Sequence, residues 1–262
     1  MRRGLGLSVA VSIVLVALAT GAARAGGDVV CDCSRAAKRA VCFEWRTDRY
    51  GHGVLGPRGE WAQLTSSFTG ARGCSPVFGL GRVTLPKNRV FEDLAPRLAD
   101  LDGDGAPEVV VVEASQEGGA EIVVYGHEGR RLVKAAATPP IGQRNRWRAV
   151  VGIADLDGDG APEIAEVVTP HIGGVLRVWA YGDGALTEIA SAPGFSNHRI
   201  GDPFIVSAVR DCGAGPELVV PDFDWTSLRA VRLSQGELNW RDLGQEPTDA
   251  GLYQALLCKD AR

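Results

Sequence analysis

The chain lacks the short signatures that mark common hydrolases, metalloproteases and nucleotide-binding enzymes: G-x-S-x-G, H-E-x-x-H and the Walker loop are all missing. Histidine is scarce, with His52, His127, His171 and His198 spread over predicted turns, and no C-x-x-C-H haem attachment occurs. Beyond the first two dozen residues no apolar run approaches the roughly 20 residues a membrane span needs. Basic residues are not in excess, 28 Lys and Arg against 32 Asp and Glu, which argues against nucleic acid or anionic membrane as the main partner. Sustained helical periodicity is also missing, apart from a hint of it in "SRAAKRAVCFEW" from Ser34 to Trp45. What remains is a succession of short apolar runs rich in Val, Ile and Leu and punctuated by Gly and Asp, the pattern of strands and turns.

The first residues form a secretory signal. Met1-Arg2-Arg3 is a positive start, Leu5 to Ala19 an apolar stretch too short to span a bilayer, and Ala23-Arg24-Ala25 a small-x-small cleavage site. Residues 1–25 are therefore expected to be removed and the chain to be exported, to the periplasm or the extracellular space. Three arginines leave with the signal, so the exported part is more acidic than the whole. It keeps all six cysteines, Cys31, Cys33, Cys42, Cys74, Cys212 and Cys258. An even count in an oxidising compartment predicts up to three disulfides, with 15 connectivities open. Metal binding by the Cys31, Cys33, Cys42 group is disfavoured, because no histidine lies beside it. The expected organisation is a Cys-containing segment over 26–44 and a single domain over 45–262, since a β-rich domain of about 200 to 250 residues is a normal size.

The exported part repeats itself. "ADLDGDGAPE" occurs at 99–108 and again at 154–163, about 55 residues apart. A degenerate third copy is "VRDCGAGPE", ending at Glu217, and a faint fourth surrounds Glu60. One short apolar run precedes each clear loop and three follow it, giving four strands per unit. Four-stranded units at a constant period describe β-propeller blades. The predicted fold class is all-β, a β-propeller of about four blades, or five, with a two-sheet sandwich as the alternative.

Within each loop, carboxylates at positions 1, 3, 5 and 9 (Asp100, Asp102, Asp104, Glu108; Asp155, Asp157, Asp159, Glu163) would converge, with glycine permitting the sharp turn. Hard oxygen donors in that pattern suit Ca2+, and the carbonyl of Ala106 would fill a gap. A plain hairpin turn is a weaker account of two identical copies. An EF-hand fits Glu166 at position 12 of the second loop, but Val111 stands there in the first and apolar strands flank both. The third copy keeps too few acids for an ion; a Cys212–Cys258 disulfide could staple it instead.

These residues, D-x-D-G-D-G-x-P-E between apolar strands, resemble the FG-GAP or VCBS-type repeat of integrin alpha subunits and many exported bacterial proteins. The resemblance implies a β-propeller with Ca2+ held by loop positions 1, 3, 5, 7 and 9: Asp100, Asp102, Asp104, Ala106 and Glu108, and Asp155, Asp157, Asp159, Ala161 and Glu163. Glutamate replaces the usual aspartate at position 9, and clear FG or GAP tripeptides are missing.

A second recurrence is polar and basic. Asn88-Arg89, Asn145-Arg146 and Asn197-His198-Arg199 precede inner-strand candidates, and Arg49 and His52 hold the comparable place in the first unit. Such loops would ring one mouth of a propeller and offer Arg49, His52, Arg89, Arg146, His198 and Arg199 to a ligand. The alternative is that the arginines pair with Glu92, Asp93 or Asp202. The expected function is a non-catalytic binding module with structural Ca2+, acting as a monomer on a protein, glycan or small anionic ligand. The competing expectation is an enzyme acting on an anionic or glycan substrate at the basic mouth.

Overall fold

The computed structural model describes residues 29–56, 60–70 and 74–260, so the expected signal peptide, residues 1–25, lies outside the described residues. The described chain is all-β, with one short helix at its end.

Two four-stranded antiparallel meanders show the repeating unit in its plainest form. One joins β10 (Arg148–Ala154), β11 (Glu163–Val168), β12 (Val175–Gly182) and β13 (Ala185–Pro193). The other joins β14 (Ala208–Asp211), β15 (Pro216–Pro221), β16 (Leu228–Ser234) and β17 (Glu237–Asp242). Ahead of them β6 (Arg97–Ala99), β7 (Glu108–Ser115), β8 (Gly119–Glu128) and β9 (Arg131–Ala137) repeat the order, and the first group is β1 (Val30–Ser34), β2 (Arg39–Thr47), β3 (Glu60–Thr69) and β4 (Pro76–Thr84). These two groups merge into one nine-stranded sheet because β5 (Arg89–Phe91) pairs with β7 and touches β3 through Trp61 and Phe91. β1 and β2 come largely from the segment expected to precede the domain, and β2 pairs with β3 along its length.

The sheets stack face on face, which explains strands apolar on both sides. On β7, Val110, Val112 and Ala114 pack with Trp147, Ala149 and Ile164 of the next unit, while Val109 and Val111 meet Phe43 and Trp61 of the one before and Phe91 of β5. Full burial of each such side chain contributes about 1.5–3 kcal/mol, and β-branched residues suit the pleat. The last sheet is covered differently. Its outer side, Val219, Leu228 and Ala230, packs under Ala255 and Leu252 of the helix α1 (Asp249–Leu256).

Two local readings change. The stretch with a helical hint, 34–45, is a turn followed by β2: Val41 and Phe43 alternate into the core and Cys42 pairs across to Cys31 in β1. The unpredicted helix α1 is capped by Thr248, whose side chain accepts from the Gly251 N–H. Eight residues with one narrow buried edge leave too short a period to stand out in sequence.

The disulfides are Cys31–Cys42, Cys33–Cys74 and Cys212–Cys258. The last ties the third-copy loop to the residues just past α1, as the staple reading required. No helix among the described residues is long and apolar enough to cross a membrane.

Candidate functional site

Antiparallel pairing puts two kinds of loop at opposite ends of each unit. Ala154 pairs with Glu163 at one end of β10 and β11, and Arg148 with Val168 at the other. The acid loops lie at the first end, the basic and histidine-bearing loops at the second, about 20 Å apart at roughly 3.3 Å per strand residue.

Each acid loop folds on its own carboxylates. The backbone N–H of Gly105 donates to Asp100 Oδ2 (3.1 Å), that of Asp104 to Asp102 Oδ1 (3.1 Å) and that of Ala106 to Asp104 Oδ1 (2.7 Å). Gly103 and Gly105 take φ of 74° and 83°, which permits the tight path. The second loop repeats these bonds through Asp155, Asp157 and Asp159, the last accepting from the Ala161 N–H. Glu108 Oε2 accepts from the Leu101 N–H (2.9 Å) and Glu163 Oε2 from that of Leu156 (2.7 Å). The result brings carboxylate oxygens of Asp100, Asp102 and Glu108 within 4.8 Å of one another, and likewise Asp155, Asp157 and Glu163. Asp104 and Asp159 stand outside these triads.

The first triad is electrostatically incomplete, whereas in the second Asp155 Oδ1 accepts from the Gly158 N–H at 2.8 Å. Asp100 Oδ1 is buried without a hydrogen-bond partner. Burial, reinforced by Asp102 and Asp104, pushes the Glu108 carboxyl up to about 7, and burial with the neighbouring aspartates raises Glu163. A cation with oxygen preference would supply the missing partner.

The third copy solves the same problem with protein charge. Arg210 pairs with Glu217 as Ala99 pairs with Glu108, so Asp211 falls at position 1 and the loop is two residues shorter than its counterparts. An ungapped alignment would put Val209 there, and the structure corrects it. Glu217 is fully buried and receives Arg210 Nε at 2.8 Å, Arg241 Nη1 at 2.7 Å and Arg232 Nε at 3.0 Å. Burial alone would raise its carboxyl, but Arg241 and Arg210 hold it down to about 2. The EF-hand match dissolves too: Glu166 is buried against Arg148 Nη1 (2.5 Å) and Trp179 Nε1 (2.7 Å).

At the opposite end the six predicted residues divide. Arg49 is spent on backbone, donating to the carbonyls of Arg89 (2.9 Å) and Leu85 (3.2 Å). Arg89 turns inward to Glu113 (2.6 Å) and Glu121, so its partners are not the three acids proposed from sequence. Arg199 stacks over the Trp225 ring at 4.1 Å. Arg146 lines a small open cleft together with His52, Asn145, Trp147, His171 and Ile172. His198 is buried beside that cleft, edge-on to Trp147 at 4.9 Å between ring centroids.

Sequence reasoning missed His171 and Trp147. It considered loops that enter inner strands and overlooked those that leave the second strand at the same end. Thr169 is the counterpart of Gln116 as the first residue past its strand, and His171 stands two residues further on. His127, expected on a surface turn, lies instead on β8 and bonds Ser66 Oγ through Nε2 at 2.9 Å.

The cleft floor is a polar chain. His52 Nδ1 meets Glu92 Oε1 at 2.6 Å, and Trp147 Nε1 donates to the Glu92 carbonyl at 2.8 Å. His171 Nε2 meets His198 Nδ1 at 2.9 Å, and His198 Nε2 meets the Asp202 carbonyl at 2.8 Å. Burial raises the Glu92 carboxyl to about 7 against the pull of His52. Burial, with His198 and His52 adding repulsion, lowers His171 to about 4.

Residues 100–166 match the family model described as FG-GAP-like repeat, so this span, which holds both acid loops, is an FG-GAP-type repeat. No curated protein matches the chain. Among solved structures it is similar to an exotype rhamnogalacturonan lyase, YesX, with 17% identity and a TM-score of 0.49 over 83% of this chain and 47% of that one. It is also similar to the Bacillus licheniformis rhamnogalacturonan lyase PL11, with 14% identity and a TM-score of 0.47 over 82% of this chain and 48% of that one. The chain spans about half the length of these structures.

Proposed function

We propose that the chain is an exported, monomeric β-propeller of four blades, stabilised by Ca2+ at its two acid loops and acting as a non-catalytic binding module through the opposite mouth. The blade reading is supported by four four-stranded groups packed in series and by their inner loops meeting, as where the Gly201 N–H donates to the Val54 carbonyl at 3.1 Å. Three disulfides fit an oxidising compartment. Asp100, Asp102 and Glu108, and Asp155, Asp157 and Glu163, would hold the ions, with Asp104, Asp159 and the carbonyls of Ala106 and Ala161 completing the shells. The observation that carries the calcium reading is the buried, unpartnered Asp100 oxygen inside its triad. Binding at the mouth is supported by Arg146, which has no carboxylate partner among the described residues, and by exposed Ile172 on the same cleft.

Calcium is tested by melting. Extracellular sites bind at about 10⁻⁴ to 10⁻³ M, and ion at a hundred times Kd stabilises by about 2.7 kcal/mol per site. At roughly 2–4 °C per kcal/mol for a chain of this size, Ca2+ should raise Tm by several degrees and chelation reverse it. An unchanged melting curve, or a full response in Asp102→Ala with Asp157→Ala, refutes the reading.

The catalytic reading draws on one observation, a buried carboxyl near pH 7 bonded to a histidine that lines the cleft. It predicts turnover of a glycan or anionic substrate that His52→Ala abolishes while binding persists.

A further inference from the structure

At the end of the strands away from the cleft, the first unit presents a different surface from the units that follow it. In the order β1 to β4 the turn between β1 and β2 holds the place of the acid loop between β10 and β11. It reads Arg35-Ala36-Ala37-Lys38 and carries two exposed cations where the other loop carries carboxylates. The Thr69 N–H donates to the Lys38 carbonyl at 2.9 Å, which fixes this turn against the end of β3. There Phe68 of β3 stands directly opposite Phe78 of β4. Both side chains are open to solvent, 40% and 50% exposed, and Val77 is 69% exposed.

Guanidinium groups lie over these rings. Arg39, opposite Phe68 across β2 and β3, sits 4.4 Å from the centre of its ring. Arg130, from the turn between β8 and β9 of the next unit, sits 4.2 Å from that of Phe78 and donates to the Gly79 carbonyl at 3.2 Å. No carboxylate pairs with Arg35, Lys38, Arg39 or Arg130 among the described residues. A chain whose acids outnumber its bases, 32 to 28, thus gathers unpaired cations round three exposed apolar side chains.

Exposed apolar surface with a polar rim marks a contact with a protein or a membrane. Two features favour the membrane. The apolar side chains stand near the turn of the β3–β4 hairpin, and such an end enters lipid without the shaped pocket that a folded partner would have to supply. Phenylalanine and valine side chains also offer a partner no hydrogen bond, while cations round an apolar centre match the headgroups and acyl boundary of an anionic bilayer.

We propose that the first unit docks on an anionic lipid bilayer, with Phe68, Val77 and Phe78 entering the acyl boundary and Lys38, Arg39 and Arg130 on the headgroups. The cleft lies at the opposite end of the strands and is left free. The docking surface shares no residue with the cleft or the acid loops, so it stands or fails independently of both.

The test is sedimentation of the exported chain, without tag or signal, with phosphatidylcholine vesicles that contain or lack phosphatidylglycerol. Chelator is present, so that no ion bridges protein and lipid. Binding is expected on the anionic vesicles alone and should fall as salt rises. Phe68→Ala with Phe78→Ala should weaken it roughly tenfold. Arg39→Gln and Arg130→Gln should each weaken it about fivefold, the effect of one cation near an anionic surface. Lys87→Gln, which removes an exposed cation at the far end of the strands, should leave it unchanged. Circular dichroism and melting report whether each variant is folded. The proposal is overturned if the chain stays in solution at millimolar anionic lipid, if uncharged vesicles bind it equally, or if the double phenylalanine variant sediments like the wild type. Binding of polyglutamate in place of anionic vesicles, lost in the same variants, also overturns it, since the patch would then serve an acidic polypeptide.

Discussion

Glu108, Glu163 and Glu217 occupy the same place in three successive units, yet only Glu217 has guanidinium partners. The contrast makes opposite predictions for one substitution. Glu217→Gln leaves Arg210, which is 1% exposed, with only the peripheral Asp260 as a carboxylate partner; loss of one member of such a pair costs about 3–5 kcal/mol, read as a lower denaturation midpoint. Its folded-state carboxyl lies near 2 and its unfolded one near the ordinary 4.5, so its stabilisation is present above 4.5 and is lost as pH falls toward 2. The wild type should show that acid loss and Glu217→Gln should lack that component. Glu108 has the other sign. In Ca2+-free protein its folded carboxyl holds a proton up to about 7 while the unfolded chain has released it near 4.5, so stability falls as pH rises through that window. Glu108→Gln should flatten this slope in chelator and lose part of the Ca2+ response; an unchanged slope would show that burial does not charge-frustrate the loop.

Among elements, the last sheet is the one whose outer side is covered by a helix. α1 packs Ala255 and Leu252 on Val219, Leu228 and Ala230, Arg210 Nη1 donates to the Ala255 carbonyl at 2.6 Å, and Cys212–Cys258 holds the end of the helix to the short third loop. An apolar sheet face needs such a cover to keep it out of water. Replacing Cys212 and Cys258 by serine should cost about 2–5 kcal/mol, and hydrogen exchange should show α1 losing protection before β10 to β13 do. Equal loss throughout would mean that the cap and the sheets unfold as one unit. The strands were legible in sequence because alternation, β-branching and Gly or Asp turns are local signals, and the acid loops because they recur intact. α1 was not, because its buried edge is meaningful only once the bare side of β15 and β16 is known. The misread stretch at 34–45 failed for the same reason: Val41 and Phe43 fit either period until Trp61 and Phe91 stand opposite them.

For the whole molecule, the sheets order themselves so that hard oxygen donors collect at one end of the strands and basic and imidazole groups at the other. In the proposed reading, calcium braces the unit loops while the mouth stays free to bind, so saturating Ca2+ should raise Tm without altering the fold, a change that far-ultraviolet circular dichroism with melting checks directly. By itself the sequence determined the all-β class, the four-strand unit, its period and the carboxylates of the two loops, because each is written in residues close together along the chain. Only the tertiary structure decided that Arg89 turns inward to Glu113, that Arg210, Arg232 and Arg241 neutralise Glu217, and that His52, His171 and His198 gather round Trp147. The ion pairs join different strands of one sheet and the histidines join loops of different units, and such side chains meet only where strand pairing and the packing of whole sheets bring them together.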